Sequence, residues 1–498
     1  MTIKRKIKIT TPSPKIRWAI FIALALLALA VRLPQLGERP MHTDESVNAY
    51  LTGELLAGKP FSYDPQDRHG PALLAVAEPM VKLLGAKSFS DLSETQLRLT
   101  PVIFGSAMIL IIGAGVEMFG FTACLVAALL FAFGPLPVYY SRYFIHETLF
   151  VAATLGMILT GWRTLQKNSV GSAALAGFCA ALMLACKETA VIHFFALGVA
   201  IGCGCLWKPR EKLPSLKIAA TALGVFIFTA ILLFTWFGQN WSVFADLLHA
   251  IPRFAARAGG EGHEKPFSYY FNLLDPMVVL TIVAVGGVYA AICDAVGDGG
   301  KPGLLLAIYG FVIFIIYSAI PYKTPWLALN LWLPLALLCG SGVAAFWEQV
   351  KNPGGRWAIG IAGAFLLATL AVQTKVLAFD KPADEKNPYA YAHTGEDLLR
   401  LPGRLNEVAR KNKLPNPRIA VVAADAWPLP WYLRKFSQVG FWQPEQETGD
   451  ADFFITTTDV SDKLAERLKH FRPEFFGVRP NVLLILWTPV NLEHHHEP

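Results

Sequence analysis

The chain has 498 residues, 54% of them hydrophobic and 16% charged, with a mean hydropathy of +0.42. That balance excludes a soluble globular protein and describes a polytopic membrane protein. The formal net charge is +7, but the lysines and arginines cluster between apolar runs, which sets membrane topology and gives no nucleic-acid signal.

The basic start "MTIKRKIKITTPSPKIRW" leads into an apolar run from Trp18 to Leu33. The run ends at Val31-Arg32-Leu33-Pro34, without the small residues of a cleavage site, so a retained anchor is expected. Segments able to cross a ~30 Å hydrocarbon core then recur to give about eleven in all. The others run from Leu97 to Phe119, Phe121 to Tyr140, Leu149 to Trp162, Ala173 to Cys186, Ala190 to Leu206, Ile218 to Phe237, Pro276 to Cys293, Leu304 to Ile320, Trp326 to Trp347 and Trp357 to Ala378. All seven cysteines fall inside or at the edge of these runs, where thiols behave as small buried hydrophobes. A disulfide framework is not expected, and Cys203 with Cys205 lacks the further ligands of a zinc site.

Basic residues decide the orientation. Lys4, Arg5, Lys6, Lys8, Lys15 and Arg17 put the N-terminus in the cytoplasm. Alternate connections agree: Arg163 with Lys167, then Lys208, Arg210, Lys212 and Lys217, then Lys301, then Lys351 with Arg356. Two of these turns carry glycine-rich breakers, "DGGKPG" and "KNPGG". The remaining loops, chiefly residues 34–96 and 238–274, then face outward and hold nearly all the chemistry-capable side chains.

Beyond Phe379 the pattern changes. The helical "TGEDLLRLPGRLNEVARKN" is followed by β-branched runs in "RIAVVAA", "ADFFITTT" and "NVLLILW", with a helical "DKLAERLKHF" between the last two. The expectation is a transmembrane domain over residues 1–378 and a small outward α/β domain over residues 379–498. The α/β part has no cysteine, phosphate loop or paired nucleophile and base, so it reads as accessory. The terminal "LEHHHEP" is set aside.

Ionisable groups near a bilayer core cost several kcal/mol unless they pair or line a wet cavity. Asp44 and Glu45 follow the first span, Arg142, His146 and Glu147 the third, Lys187 and Glu188 the fifth, and Lys323 the ninth. Carboxylates and cations at one depth suit a phosphate ester together with a hydroxyl that must lose its proton. Arg142, Lys187 or Lys323 would hold a lipid-linked phosphate and stabilise the charge of the leaving group. Asp44 would accept the proton of the acceptor as general base. Glu45, Glu147 and His146 would orient it, or would bind a divalent metal with it, Asp44 and Glu147 being the candidate ligands. Structural alternatives stand beside these. The acidic pair suits a solvated loop, "SRYFIHE" an interfacial anchor with Tyr139, Tyr140 and Tyr143 at headgroup depth, and Lys187 with Glu188 a self-neutralising pair. His69 and His263 suit a solvated surface, and Trp236, Trp241 and Trp326 an aromatic belt, with sugar stacking as the alternative.

Taken in order, "HTDESVNAYLTGELLAG", "YDPQDRHGPAL", "SRYFIHETLF", "LACKETAV", "EGHEKPFSYY", "YKTPW" and "DAWPLPWYLR" resemble a prokaryotic family known as flippase-activity-associated. That family groups with the C-type glycosyltransferases and is similar to the dolichyl-phosphate-mannose protein mannosyltransferases and the lipid A aminoarabinose transferase. The resemblance implies a multi-span enzyme that takes a sugar from a polyprenyl-phosphate donor on the outer face. It implies that Asp44 and Glu45 form the catalytic motif. It also implies that His69 to Pro71 correspond to a histidine and proline segment of the first outer loop, Lys187 to a lysine that ends a later helix, and His146-Glu147, by position, to a second acidic site. The candidate substrate-binding residues as a whole are His69, Arg142, His146, Glu147, Lys187, Glu188, His263, Tyr322, Lys323 and Trp326. Where the wider superfamily more often has two prolines, this chain has Gly70-Pro71, and where it has Thr-Lys this chain has Cys186-Lys187.

The reading is therefore an inverting, polyprenyl-phosphate-sugar-dependent transferase of the inner membrane. Its partners would be the lipid-linked donor, membrane lipids and, through the C-terminal domain, an envelope or glycosylation complex. The rival readings are a component of lipid-linked sugar translocation and a scaffold of an envelope complex.

Overall fold

The computed structural model describes residues 12–65, 68–207, 214–260, 262–274, 278–296, 302–444, 446, 448–461, 463–480 and 482–490. The basic residues Lys4, Arg5, Lys6, Lys8, Lys208, Arg210, Lys212 and Lys301, part of "DGGKPG" and the terminal histidines lie outside the described residues. The chain folds as two compact units. One comprises Met1–Pro34, Phe61–Ala75 and Leu99–Ala378, and the other Gln35–Pro60, Val76–Arg98 and Phe379–Pro498.

The first unit is helical. Among the described residues, seven helices are long and apolar enough to cross a membrane: Pro14–Arg32, Glu94–Ala114, Glu147–Lys167, Leu216–Phe234, Pro302–Ala319, Pro325–Gln349 and Pro353–Asp380. The shorter apolar helices Phe121–Phe133, Val170–Cys186, Ala190–Leu206 and Val283–Ile292 fall on the other four expected segments. The chain is a multi-pass membrane protein. Two expected spans are interrupted: Leu97–Phe119 at Gly115, between the helices Glu94–Ala114 and Val116–Phe119, and Phe121–Tyr140, whose helix from Phe121 stops at Phe133 before a separate turn, Pro135–Tyr140, that follows Gly134. Pro135 and Pro137 have no N–H to give to the preceding turn, and Pro135 turns Gly134 out of the helical region to ψ 138°.

Small residues let these helices touch. A Cβ on Gly177 would lie 2.1 Å from the Ala222 carbonyl oxygen, and one on Gly287 only 1.9 Å from that of Leu338. The backbones of Val170–Cys186 and Leu216–Phe234 therefore pack in direct contact, as do those of Val278–Val296 and Ala328–Gln349.

The second unit is α/β. Its five strands, β1 (Arg418–Val422), β2 (Gln438–Trp442), β3 (Phe453–Thr457), β4 (Phe471–Arg479) and β5 (Val482–Pro489), form one mixed sheet in the order β2-β1-β3-β5-β4. β1 runs parallel to both β2 and β3, while β5 is antiparallel to β3 and β4. The central strands β1 and β3 are nearly continuous buried runs, which made them legible in the sequence. The two edge strands carry mixed exposure and Pro473, and their pattern did not announce them. The expected helix in "DKLAERLKHF" shrinks to the single turn Ala465–Leu468, because Phe471 onward is drawn into β4. The helix Leu401–Lys411 forms as expected and is pinned by Arg404, which meets both oxygens of Glu474 at 2.7 and 2.6 Å.

Candidate functional site

Among the described residues, most of the sequence-predicted candidates lie in two clusters, one in each unit. In the α/β unit, the Asp44–Glu45 pair opens the helix Thr43–Leu56, whose N-cap is His42. The two carboxylates have opposite fates. Glu45 is completely buried and held bidentately by Arg98, Nε to Oε1 at 2.8 Å and Nη2 to Oε2 at 2.8 Å. Arg39 approaches it at 3.4 Å, and the His42 backbone N–H donates to its Oε2 at 3.2 Å. The Arg98 guanidinium also donates to the carbonyls of Leu36, Arg39 and Pro40 at 2.7, 2.9 and 3.2 Å. Glu45 and Arg98 thus lock the loop that leads into the helix. Asp44, by contrast, has a side chain 45% exposed at the positive end of the helix dipole.

His42 fixes the backbone beneath Asp44. Its Nδ1 accepts the Asp44 N–H at 3.0 Å, which assigns the proton to Nε2, 3.1 Å from the Tyr391 carbonyl. The Met41 N–H donates to the Tyr432 hydroxyl at 2.9 Å, and Thr394 donates to the Met41 carbonyl at 2.7 Å. The C-terminal segment is therefore part of the Asp44 support, where the sequence read it as accessory. Burial pushes the His42 imidazole below its ordinary range, and Asp44 and Glu45 only partly reverse this. A histidine with a depressed folded value contributes stability that is fully present above the unfolded value of ~6.5 and is lost as pH falls below it. The thermal midpoint of the protein is expected to drop on acidification through that window. In His42→Asn, which keeps a side-chain acceptor at the cap, that part of the slope should vanish.

In the membrane unit, a second cluster forms where His69-Gly70-Pro71 meets the end of the helix Val170–Cys186. Glu188 lies 3.0 Å from His69 Nδ1 and accepts from the Tyr63 hydroxyl at 2.9 Å. Burial pushes the Glu188 carboxyl up, but His69 and Tyr63 outweigh it and hold it below the usual range. His146 is buried, with Nε2 3.2 Å from the Gly70 carbonyl and its ring edge-on to His69 at 5.4 Å. Burial, with His69 and Lys187 nearby, keeps it neutral, well below the ordinary histidine range. Lys187 pairs with Glu147, not with the adjacent Glu188. One of its three ammonium donors is used there, and among the described residues the other two have no hydrogen-bond partner.

Gly70 sits so close to this helix end that a Cβ would lie 2.3 Å from the Ala185 carbonyl oxygen. Any side chain at this position would have to displace the Ala185 backbone. Gly70→Ala is expected to push Ala185 aside and with it Lys187, lowering both the thermal midpoint and the activity of the purified protein.

The remaining candidates have structural partners. Arg142 is 5% exposed and donates to the Arg32 and Pro34 carbonyls at 2.8 and 2.6 Å, so it caps the helix Pro14–Arg32. Tyr139, Tyr140 and Tyr143 are buried, which sets aside the headgroup-anchor alternative for this segment. Lys323 donates to the Lys265 and Ile320 carbonyls at 3.0 and 2.5 Å. The His263 ring lies 4.8 Å from that of Tyr322, and Trp326 is buried at 6.4 Å from Tyr143. Among the described residues, no group of three or more His, Cys, Asp or Glu side chains is arranged to hold a metal ion. Of the candidate ligands, Glu147 is engaged by Lys187, and the Asp44 carboxylate lies 3.9 Å from the His42 ring.

Three buried arginines, Arg32, Arg39 and Arg98, have no role in the sequence reading. Arg39 and Arg98 are described above. Arg32 donates to Ser141 Oγ at 2.7 Å and to the carbonyls of Phe131, Ala28 and Ala132 at 2.7, 3.0 and 3.3 Å. The signal was available, because an ionisable residue inside or ending an apolar span is by default a specific one.

The comparisons with known proteins agree with this architecture. Residues 74–236 match the family model described as dolichyl-phosphate-mannose-protein mannosyltransferase, a stretch that contains Glu147 and Lys187 but not Asp44. No curated protein matches the chain in sequence. Among solved structures, ArnT from Cupriavidus metallidurans in the apo state is 15% identical, with a TM-score of 0.66, and the match covers 95% of this chain and 98% of that one. ArnT bound to undecaprenyl phosphate matches at 14% identity and TM-score 0.63, over 94% of this chain and 97% of that one. The oligosaccharyltransferase AglB from Archaeoglobus fulgidus, in complex with an inhibitory peptide and a dolichol-phosphate, matches at 14% identity and TM-score 0.56, over 96% and 76%. By fold, the chain is a polytopic membrane protein of the C-type glycosyltransferase architecture with a C-terminal α/β domain, and it resembles the mannosyltransferases and ArnT.

Proposed function

We propose that the chain is a membrane glycosyltransferase that moves a sugar from a polyprenyl-phosphate donor to an acceptor hydroxyl on the outer face of a cell inner membrane. In this reading the N-terminus is cytoplasmic and residues 379–498 are extracytoplasmic. The observation that carries it is the half-exposed carboxylate of Asp44, set on a helix start that Glu45 and Arg98 make rigid. A locked backbone with one reachable carboxylate is what a general base requires. Lipid phosphates bound to structural neighbours with the same fold support the choice of donor.

The chemistry is a single displacement. The acceptor oxygen forms a bond to the anomeric carbon as its proton passes to Asp44. The bond from that carbon to the phosphate oxygen breaks, and its electron pair leaves on the phosphate. Inversion follows from one displacement. Lys187, with two donors beyond Glu147, is the preferred phosphate ligand, followed by Arg142 and Lys323. His69, His146, Glu147 and Glu188 position the Lys187 segment, while His263, Tyr322 and Trp326 are assigned to substrate contacts. Glu45 is a positioning residue, and no step is assigned to a metal.

The test uses the full chain in proteoliposomes with a labelled polyprenyl-phosphate sugar. Cleavage of the donor, with release of free polyprenyl phosphate, is expected. Movement of intact donor across the bilayer without cleavage would make the chain a translocation component instead.

A further inference from the structure

At the C-terminal end of the helix Glu147–Lys167, about 30 Å along that helix from Glu147, two adjoining cavities have no part in the proposed reaction. The larger, of about 290 Å³, is lined by Met118, Met157, Gly161, Trp162, Leu197 and Ala222 among others. Its polar neighbours are already engaged. The Thr164 hydroxyl donates to the Thr160 carbonyl at 2.8 Å, and the Tyr309 hydroxyl is 2.7 Å from His193 Nδ1. Only apolar surface is left to offer, and a slot of that kind takes hydrocarbon.

The smaller cavity, of about 150 Å³, shares Met118 and Trp162 with the first and adds Arg163, Gln166 and Lys167 around Glu117. Arg163 and Lys167 both reach the Glu117 carboxylate, at 3.7 and 3.6 Å. Two cations against one carboxylate leave a net positive charge on side chains that remain partly exposed. A hydrocarbon slot opening beside a cationic patch has the shape and charge of a lipid with an anionic head group.

We infer that this is a binding site for an anionic phospholipid, with one acyl chain in the slot and the phosphate against Arg163 and Lys167. The lipid would contact five long helices, Glu147–Lys167, Val170–Cys186, Ala190–Trp207, Leu216–Phe234 and Pro302–Ala319. Its site is separate from Lys187 and Glu147 at the other end of the first of them.

The experiment measures lipid retained by the delipidated full chain in neutral detergent, by native mass spectrometry, with phosphatidylglycerol or phosphatidylcholine of matched chains. Phosphatidylglycerol is expected to be retained in preference. Arg163→Gln and Lys167→Gln are each expected to weaken retention about fivefold. Gly161 provides an independent probe, because a Cβ there meets nothing within 4 Å. Gly161→Leu fills the slot while favouring the helix. It should melt like wild type and lose phosphatidylglycerol about tenfold, as expected for expelling about two methylenes. Equal retention of the two lipids, unchanged retention in Gly161→Leu, or displacement of phosphatidylglycerol by polyprenyl phosphate would overturn the assignment.

Discussion

Glu45→Ala and Arg98→Ala are each expected to destabilise the protein by about 3–5 kcal/mol, because either change leaves a buried charge without its partner. Glu45 is fully buried and Arg98 1% exposed, so water does not replace the lost contact. The arginine additionally satisfies three carbonyls of the segment Leu36–Pro40, and removing it orphans all of them. The double substitution Glu45→Gln with Arg98→Met should recover part of the loss, since it removes both charges together. Thermal unfolding of the four proteins reads the difference. If the single substitutions melt like wild type, the pair does not anchor the loop.

Asp44→Asn has the opposite signature. The side chain is 45% exposed and its neighbour His42 bonds the Asp44 backbone, not its carboxylate. The variant should therefore insert and melt as wild type. Removal of a general base is expected to slow transfer about 10²–10⁴-fold. Asparagine keeps the size and the hydrogen-bonding reach of the side chain but cannot take the proton. Adjacent residues thus separate into one whose loss is read in stability and one whose loss is read in rate.

That separation was invisible in the sequence. Successive residues on a helix point about 100° apart, so one member of an Asp-Glu pair can face the core while the other faces outward. The sequence already puts Asp44 forward as the base, but that Glu45 faces the core emerges only once Arg98 is placed. The eleven apolar segments were legible because span length and hydropathy are local properties. Pro135 and Pro137 gave notice of the break after Phe133 that the apolar count ignored. β1 and β3 were legible as buried β-branched runs, while β2 and β4, at the sheet edges, were not. As sequence neighbours, Lys187 and Glu188 suit either a substrate site or a self-neutralising pair. In the fold, helix ends bring Glu147 to the first and His69 with Tyr63 to the second. Long-range pairing of this kind depends on how the helices pack, which no window of residues encodes.

The central claim is most directly tested by a single-turnover measurement with labelled polyprenyl-phosphate sugar and acceptor, scoring donor bound and free polyprenyl phosphate released by wild type and by Asp44→Asn. The account predicts that both proteins bind the donor alike and that only wild type releases polyprenyl phosphate promptly, with the sugar inverted at its anomeric carbon. Release by Asp44→Asn at the wild-type rate, or retention of the donor's configuration in the product, would contradict it.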